Sequence, residues 1–104
     1  MSLRPPSQFG NMHPGDVLFD ALNTEIAGEK ATALGRAGTK AAKALAALAE
    51  AGPDHPDRPA LLKAAADAVH GFFIQRELCG MRRHDGVIRD LAIPQAVLVR
   101  MGAK

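Results

Sequence analysis

The residues from Asp16 to Ala51 constrain the fold of this chain more than any other segment. They include twelve alanines and no proline, and their charged side chains recur on one side of a helix. A helix of this length is about 54 Å long, whereas a compact chain of this size has a radius of gyration of about 13 Å. Either the helix breaks near Gly35 and Gly38, or it extends past its own domain and is covered by a second copy. We expect the second arrangement.

Chain length and charge limit the classes of function. A chain of 104 residues forms one small domain, and four phenylalanines with no tryptophan or tyrosine give it a thin core. The formal net charge of +2 is too small for a nucleic-acid or membrane-surface interface. The amino-terminal residues lack the apolar stretch of a secretory signal, and one cysteine cannot form an internal disulfide. These features predict a cytoplasmic protein with no membrane partner.

Prolines and glycines divide the chain into an arm and a helical domain. Residues 1–15 predict an extended or disordered arm, and residues 16–104 predict a single helical domain. The first helix should end at Gly52, and the second should run to about Cys79, with Gly80 as its C′ residue. The connection between them is short, which predicts an antiparallel helical hairpin.

Two short helices are predicted after the hairpin, from Asp85 to Leu91 and from Pro94 to Met101. We expect them to fold back onto the start of the first helix. Four large apolar residues form a stripe there: Leu18, Phe19, Leu22 and Ile26. The predicted fold class is all-α, with a long helical hairpin and two short carboxy-terminal helices that form a helical bundle as a homodimer.

A row of small residues follows the first helix at alternating spacings of three and four. We call this row the small-residue seam; its members are Gly28, Ala31, Gly35, Gly38 and Ala42. Small side chains allow two helices to approach closely. The seam is therefore the candidate dimer interface, unless the second helix of the same chain covers it.

The charges of the first helix are segregated along its length. Its first half carries Asp16, Asp20, Glu25 and Glu29, and its second half carries Arg36, Lys40 and Lys43. This order complements the helix dipole. It would also place acidic residues against basic residues if two copies packed antiparallel.

The segment from Gln75 to His84 has more side chains that could bind a ligand or react than any other segment of the chain. Arg76 is in phase with the apolar residues of the second helix, so it is expected to point inward and to need a carboxylate. Pairing within the hairpin places it near Glu29, and Arg76–Glu29 is the candidate structural ion pair. The functional alternative is an anion or small-ligand site formed by Arg76, Arg82 and His84.

No combination of residues predicts a catalytic, cofactor or metal site. Cys79 lies at the carboxyl end of a helix, where the helix dipole disfavours a thiolate. We therefore expect an unreactive, buried thiol rather than a nucleophile. The Glu-x-x-His pairs typical of di-iron bundles do not occur in the sequence. Phosphate-binding loops, dinucleotide fingerprints and zinc patterns are also missing from it. We therefore expect no cofactor and no enzymatic activity.

Residues 84–102 match the apolar spacing of a helix-turn-helix, with Ala92 at the turn. The second helix of such a unit would offer only Gln95 and Arg100 to base edges, and few basic residues lie nearby for phosphates. A weak DNA-binding module is therefore a further alternative, and nucleic acid is an unfavoured partner.

Residues 29–38, 75–80 and 93–102 resemble a family of short uncharacterised alphaproteobacterial proteins with no assigned function. The resemblance extends over nearly the whole chain. It implies a bacterial source, and it carries over no activity, cofactor or catalytic residue. The sequence alone favours a non-enzymatic, homodimeric interaction or scaffold protein, with small-ligand or anion binding and weak DNA binding as alternatives.

Overall fold

The computed structural model describes residues 14–101, with side chains from residue 22 onward. These residues form four helices and no strand: α1 (Pro14–Ala51), α2 (Arg58–Leu78), α3 (Asp85–Asp90) and α4 (Gln95–Met101). The all-α prediction is confirmed. The predicted arm lies outside the described residues, except for Pro14 and Gly15, which belong to the first turn of α1.

The long helix α1 runs for 38 residues without a break at Gly35 or Gly38. It begins at Pro14 because the first amide of a helix has no intrahelical acceptor, so proline costs little there. It stops at Gly52, whose φ of +76° is the left-handed conformation that glycine adopts readily. The molecule measures 70 × 23 × 22 Å with a radius of gyration of 20.6 Å. A compact chain of this length would have a radius of gyration of about 13 Å, so α1 determines the elongated shape.

The second helix packs antiparallel to α1 and ends at the glycine that the sequence predicted. Gly80 has a φ of +90°. Its N–H donates to the carbonyl of Glu77 at 3.0 Å, and the N–H of Met81 donates to the carbonyl of Arg76 at 2.9 Å. These two bonds form a Schellman motif, which satisfies the last carbonyls of α2 and reverses the chain.

The end of α2 lies opposite Lys30 of α1. The Sγ atom of Cys79 is 3.9 Å from the carbonyl oxygen of Lys30. Residues 14–29 therefore extend beyond α2 by 16 residues, or about 24 Å of helix. We call this part of α1 the overhang.

The core lies between the second half of α1, α2 and the carboxy-terminal segment, which comprises α3, α4 and the turn between them. Its buried residues are Ala41, Leu45, Leu48, Ala65, Ala66, Ala68, Val69, Ile93 and Val97. Four of these nine residues are alanines, so the helices pack closely. At Gly38 a Cβ atom would lie only 3.2 Å from the ring of Phe72.

The two carboxy-terminal helices do not pack where the sequence predicted. They run back along the hairpin toward the α1–α2 connection, where Ile93 and Val97 join the core. Leu22 and Ile26, their predicted partners on α1, remain 49% and 48% exposed; the side chains of the other two predicted partners lie outside the described set. The prediction was wrong because the reversal at Gly80 keeps the short segment beside α2, where both hairpin helices offer apolar faces.

The boundaries of these short helices differ slightly from the predicted ones. Pro94 precedes α4, and its carbonyl accepts hydrogen bonds from the N–H groups of Val97 and Leu98 at 3.0 and 3.3 Å. Ala92, in the turn between α3 and α4, has a φ of +50°. This conformation is strained for a residue with a Cβ atom.

Candidate functional site

The small-residue seam lies largely on the surface of α1. Gly28, Ala31, Gly35 and Ala42 are exposed, and Gly38 is half-buried. A Cβ atom added at Gly28 or Gly35 would meet no atom within 4 Å. Contact with α2 is thus confined to the Gly38 position, and most of the seam is left uncovered by the part of the chain that the structure describes.

The charged residues of α1 lie to one side of the seam. Glu25, Glu29, Arg36, Lys40 and Lys43 are all exposed. Two ion pairs, Lys63–Asp67 and Arg83–Asp85, occur among the residues that the structure describes, and neither includes a residue of α1. These five side chains are therefore not neutralised by ion pairs with the other side chains that the structure describes.

An apolar groove separates the second half of α1 from the connection between α3 and α4. We call it the carboxy-terminal groove. Its α1 wall includes Ala42, Ala46 and Ala49, and its opposite wall is formed by Leu91, Ala92 and Pro94. Because Ala42 also belongs to the seam, the groove continues the seam toward the end of α1.

A second cluster forms where the chain reverses at Gly80. The Nε atom of Arg76 donates to Nδ1 of His84 at 3.1 Å, and its Nη2 atom donates to the carbonyl of Arg83 at 2.9 Å. The ring of His84 stacks on Phe73, with centroids 4.1 Å apart and planes 5° from parallel. Its Nε2 atom lies 3.1 Å from Oε2 of Glu77.

These contacts determine which tautomer of His84 is present. Because Nδ1 accepts a hydrogen bond from Arg76, the ring hydrogen lies on Nε2 and is donated to Glu77. The His84 side chain is 14% exposed. The resulting guanidinium–imidazole–carboxylate chain links the end of α2 to the start of α3.

The predicted ion pair between Arg76 and Glu29 is not formed. Among the described residues Glu29 has no ion pair, and Arg76 bonds to His84 and to a backbone carbonyl instead. Arg76 lies on the side of α2 along which the chain returns after Gly80, and a partner eight residues away in sequence occupies its guanidinium.

The candidate anion site is only partly assembled. Arg76 and His84 meet, but Arg82 is exposed and has no hydrogen bond or ion pair within the described part of the chain. The polar atoms of Arg76 and His84 are directed at each other, at Glu77 and at a backbone carbonyl. They do not converge on a common open space.

The remaining sequence candidates are dispersed. Cys79 is half-buried, with its Sγ atom toward the Lys30 carbonyl, and His70 is exposed. In the part of the chain that the structure describes, no three His, Cys, Asp or Glu side chains are grouped closely enough to bind a metal ion. Lys63 Nζ donates to Asp67 Oδ2 at 2.8 Å, and this bond lowers the pKa of the exposed carboxyl.

The helix-turn-helix candidate has short helices. α3 has six residues and α4 has seven. Gln95 and Arg100 are exposed on α4, beside the exposed apolar side chain of Val99. DNA binding by residues 84–102 stays a prediction.

Comparison with known proteins supplies a family. The family described as "Family of unknown function (DUF6665)" matches residues 1–104. The chain belongs to this family. No curated protein and no solved structure matches the chain.

Membership in DUF6665 confirms the predicted resemblance to a family without an assigned function. The bacterial source stays a prediction. Within the described residues, no helix is both long enough and apolar enough to cross a membrane.

Sequence reasoning missed two parts of this surface. The sequence did not predict that Phe73 and Glu77 contact His84, although it correctly predicted Gly80 as the C′ residue. A reversal centred on Gly80 brings together residues at equal distances from it, as Arg76 and His84 are, so the contact had a signal in the sequence. The carboxy-terminal groove had none, because its second wall depends on where the last helices pack.

Proposed function

We propose that this DUF6665 protein is a non-enzymatic interaction or scaffold protein of the cytoplasm that works as a homodimer. In the dimer, the α1 helices of two copies pack antiparallel along the small-residue seam. The observation that carries the proposal is the exposed seam on a 38-residue helix. Gly28 and Gly35 have no neighbour within 4 Å of a would-be Cβ atom, so a second helix can approach closely there.

The charges beside the seam favour a second copy in one orientation. Antiparallel packing with the two-fold axis near Gly35 places Glu25 of one copy close to Lys43 of the other. Parallel packing would instead place each charge opposite its own copy. Exposed ion pairs contribute only about 0–1 kcal/mol each, so they select the orientation rather than supply the affinity. Close packing of the small residues would supply the affinity.

Sedimentation equilibrium at micromolar concentration tests the proposal. We expect a mass of twice the 11.0 kDa chain. The variant Gly35→Leu should weaken association, because its side chain would project into the closest approach of the two helices. Leucine is also a better helix former than glycine, so a weaker dimer could not be attributed to loss of the helix.

Ala47→Leu is the matched control, since Ala47 is an exposed residue of α1 outside both the seam and the groove. It should leave the association constant unchanged. A wild-type monomer at these concentrations, or equal weakening by the two variants, would contradict the proposal.

The two alternative functions have less support. An anion site would need free donors, whereas Arg76 donates to groups of its own chain and Arg82 stands apart from it. A DNA reader would need more polar side chains than the Gln95 and Arg100 that α4 presents.

A further inference from the structure

We propose that a cleft between the α1–α2 connection and the last turn of α4 binds small organic anions that carry an apolar body. We call it the hairpin cleft; its volume is about 430 Å³. Its lining includes Pro53, Asp54, His55, Arg58, Leu62 and Arg100. The cleft contains no residue of the small-residue seam, so the proposal does not rest on the dimer. It also contains none of the residues of the anion site that the sequence predicted.

Two arginines from distant parts of the chain line the hairpin cleft. Arg58 is the first residue of α2 and is half-buried, and Arg100 is exposed in the last turn of α4. Arg100 reaches the cleft because the buried residue Val97, one turn earlier, fixes α4 against the core. Two guanidinium groups beside one cleft repel each other unless an anion offsets their charge. Their arrangement therefore favours an anionic ligand.

Both guanidinium groups retain free donors. Arg58 donates through Nη1 to the carbonyl of Gly52 at 3.2 Å, which leaves its other N–H groups available. Neither arginine forms an ion pair with a side chain that the structure describes, although Asp54 also lines the cleft. Two guanidinium groups against one carboxylate leave an excess of positive charge. In contrast, the polar atoms of Arg76 are directed at groups of its own chain.

The other walls of the hairpin cleft determine what kind of anion fits. Pro53, Pro59 and the half-buried residue Leu62 form apolar surfaces, and proline rings hold such surfaces rigid. Nδ1 of His55 accepts the N–H of Asp57 at 3.0 Å, so the ring hydrogen lies on Nε2 and is available as a further donor. Cationic donors beside apolar walls suit a ligand with an anionic group on an apolar body. A carboxylate matches the planar fork of a guanidinium.

Titration of the isotope-labelled, full-length protein with benzoate, followed by NMR, tests the proposal. Benzoate carries a carboxylate on an apolar ring. We expect saturable shifts of the backbone N–H signals of residues 54–58 and 98–101, with a Kd of about 1 mM because the cleft is open to water. Acetate lacks the ring and benzyl alcohol lacks the charge, so each should bind at least about fivefold more weakly than benzoate.

Two arginine variants locate the charge that binds the carboxylate. Arg100→Gln should raise the Kd for benzoate about tenfold, because charge-assisted hydrogen bonds are lost. Arg82→Gln is the matched control, since Arg82 is also exposed and has no ion pair within the described residues, but lies outside the cleft. It removes the same net charge and should leave the Kd unchanged. Arg58→Gln should also weaken binding, and circular dichroism checks that its helices remain.

Three results would overturn the proposal. One is the absence of saturable shifts up to about 10 mM benzoate. Another is equal weakening by Arg100→Gln and Arg82→Gln, because net charge alone would then explain the binding. The third is binding of acetate or benzyl alcohol as tight as that of benzoate, which would show that the apolar walls or the arginines do not contribute. Gly35→Leu should not change the affinity for benzoate, so failure of the proposed dimer is distinguishable from failure of this site.

Discussion

The two halves of α1 have similar apolar periodicity but opposite surroundings. In the second half, Leu45 and Leu48 are 8% and 2% exposed, because α2 and the carboxy-terminal segment cover them. In the first half, Leu22 and Ile26 are 49% and 48% exposed, because α2 stops opposite Lys30. An apolar stripe thus shows which side of a helix can be buried. Whether it is buried depends on how far its partner extends.

The apolar stripe of the overhang and the small-residue seam also serve different contacts. Leu22 and Ile26 lie on a different side of α1 from Gly28 and Gly35, since they do not share the three-and-four spacing of the seam. Antiparallel pairing along the seam would therefore leave Leu22 at the surface. Because the apolar stripe and the seam lie on different sides of α1, mutations can compare the two halves of α1 in the proposed dimer as well as in a single chain.

The largest expected effect is at Leu48. Leu48→Ala removes a buried side chain and leaves a cavity, which typically costs about 2–5 kcal/mol of unfolding free energy. Leu22→Ala, the same change on the overhang, should cost less than about 1 kcal/mol because half of that side chain is already exposed. Urea unfolding of both variants gives the comparison. Equal losses would show that the first half of α1 is covered as completely as the second.

The next effect concerns the cluster at the Gly80 reversal. Arg76→Ala leaves His84 without its donor, and the loss of such a hydrogen bond typically costs about 1–3 kcal/mol. Arg82→Ala is the matched control and should change stability by no more than about 0.5 kcal/mol, because the residue is exposed.

Double-mutant cycles by urea unfolding identify the partner of Arg76. Arg76→Ala should be non-additive with His84→Ala and additive with Glu29→Gln, because the guanidinium bonds to the His84 ring and to the Arg83 carbonyl and not to Glu29. Non-additivity with Glu29 would instead support the ion pair that the sequence predicted.

A smaller effect, of opposite sign, is expected at Ala92. Its φ of +50° is left-handed, and glycine adopts this conformation without a Cβ clash. Ala92→Gly should therefore raise stability by about 0.5–1 kcal/mol, after the entropy that glycine loses on folding is subtracted. Ala96→Gly in α4 should lower it by about 1 kcal/mol. Thermal unfolding measures both, and a loss of stability in Ala92→Gly would contradict the strain.

The smallest effect is at the surface of α2. Lys63 lowers the pKa of Asp67, so this pair stabilises the folded state above the ordinary pKa of aspartate. That contribution is lost as the pH falls through the lowered pKa. Asp67→Asn should therefore lower Tm slightly at neutral pH and not at all in strong acid. A Tm difference that grows in acid would contradict this assignment.

The sequence predicted the helices well because their limits depend on local chemistry. Gly52 and Gly80 end α1 and α2 as expected, since a left-handed residue after a helix strongly favours glycine. The partner of Arg76 was predicted incorrectly, because hairpin pairing considers only α1 and α2. The segment that follows Gly80 instead brings His84 within hydrogen-bond distance of the Arg76 guanidinium.

The amino-acid sequence by itself determined the helical state and the turn positions, because these follow from backbone preferences within a few residues, whereas it left open a break in α1 near Gly35 and Gly38. It also determined the spacing of the seam and the segregation of its charges. Only the tertiary structure decided that Ile93 and Val97 join the core beside the second half of α1, whereas Leu22 and Ile26 stay about half exposed. That choice depends on contacts between distant residues, which compete for the same apolar faces and cannot be ranked from helical periodicity alone.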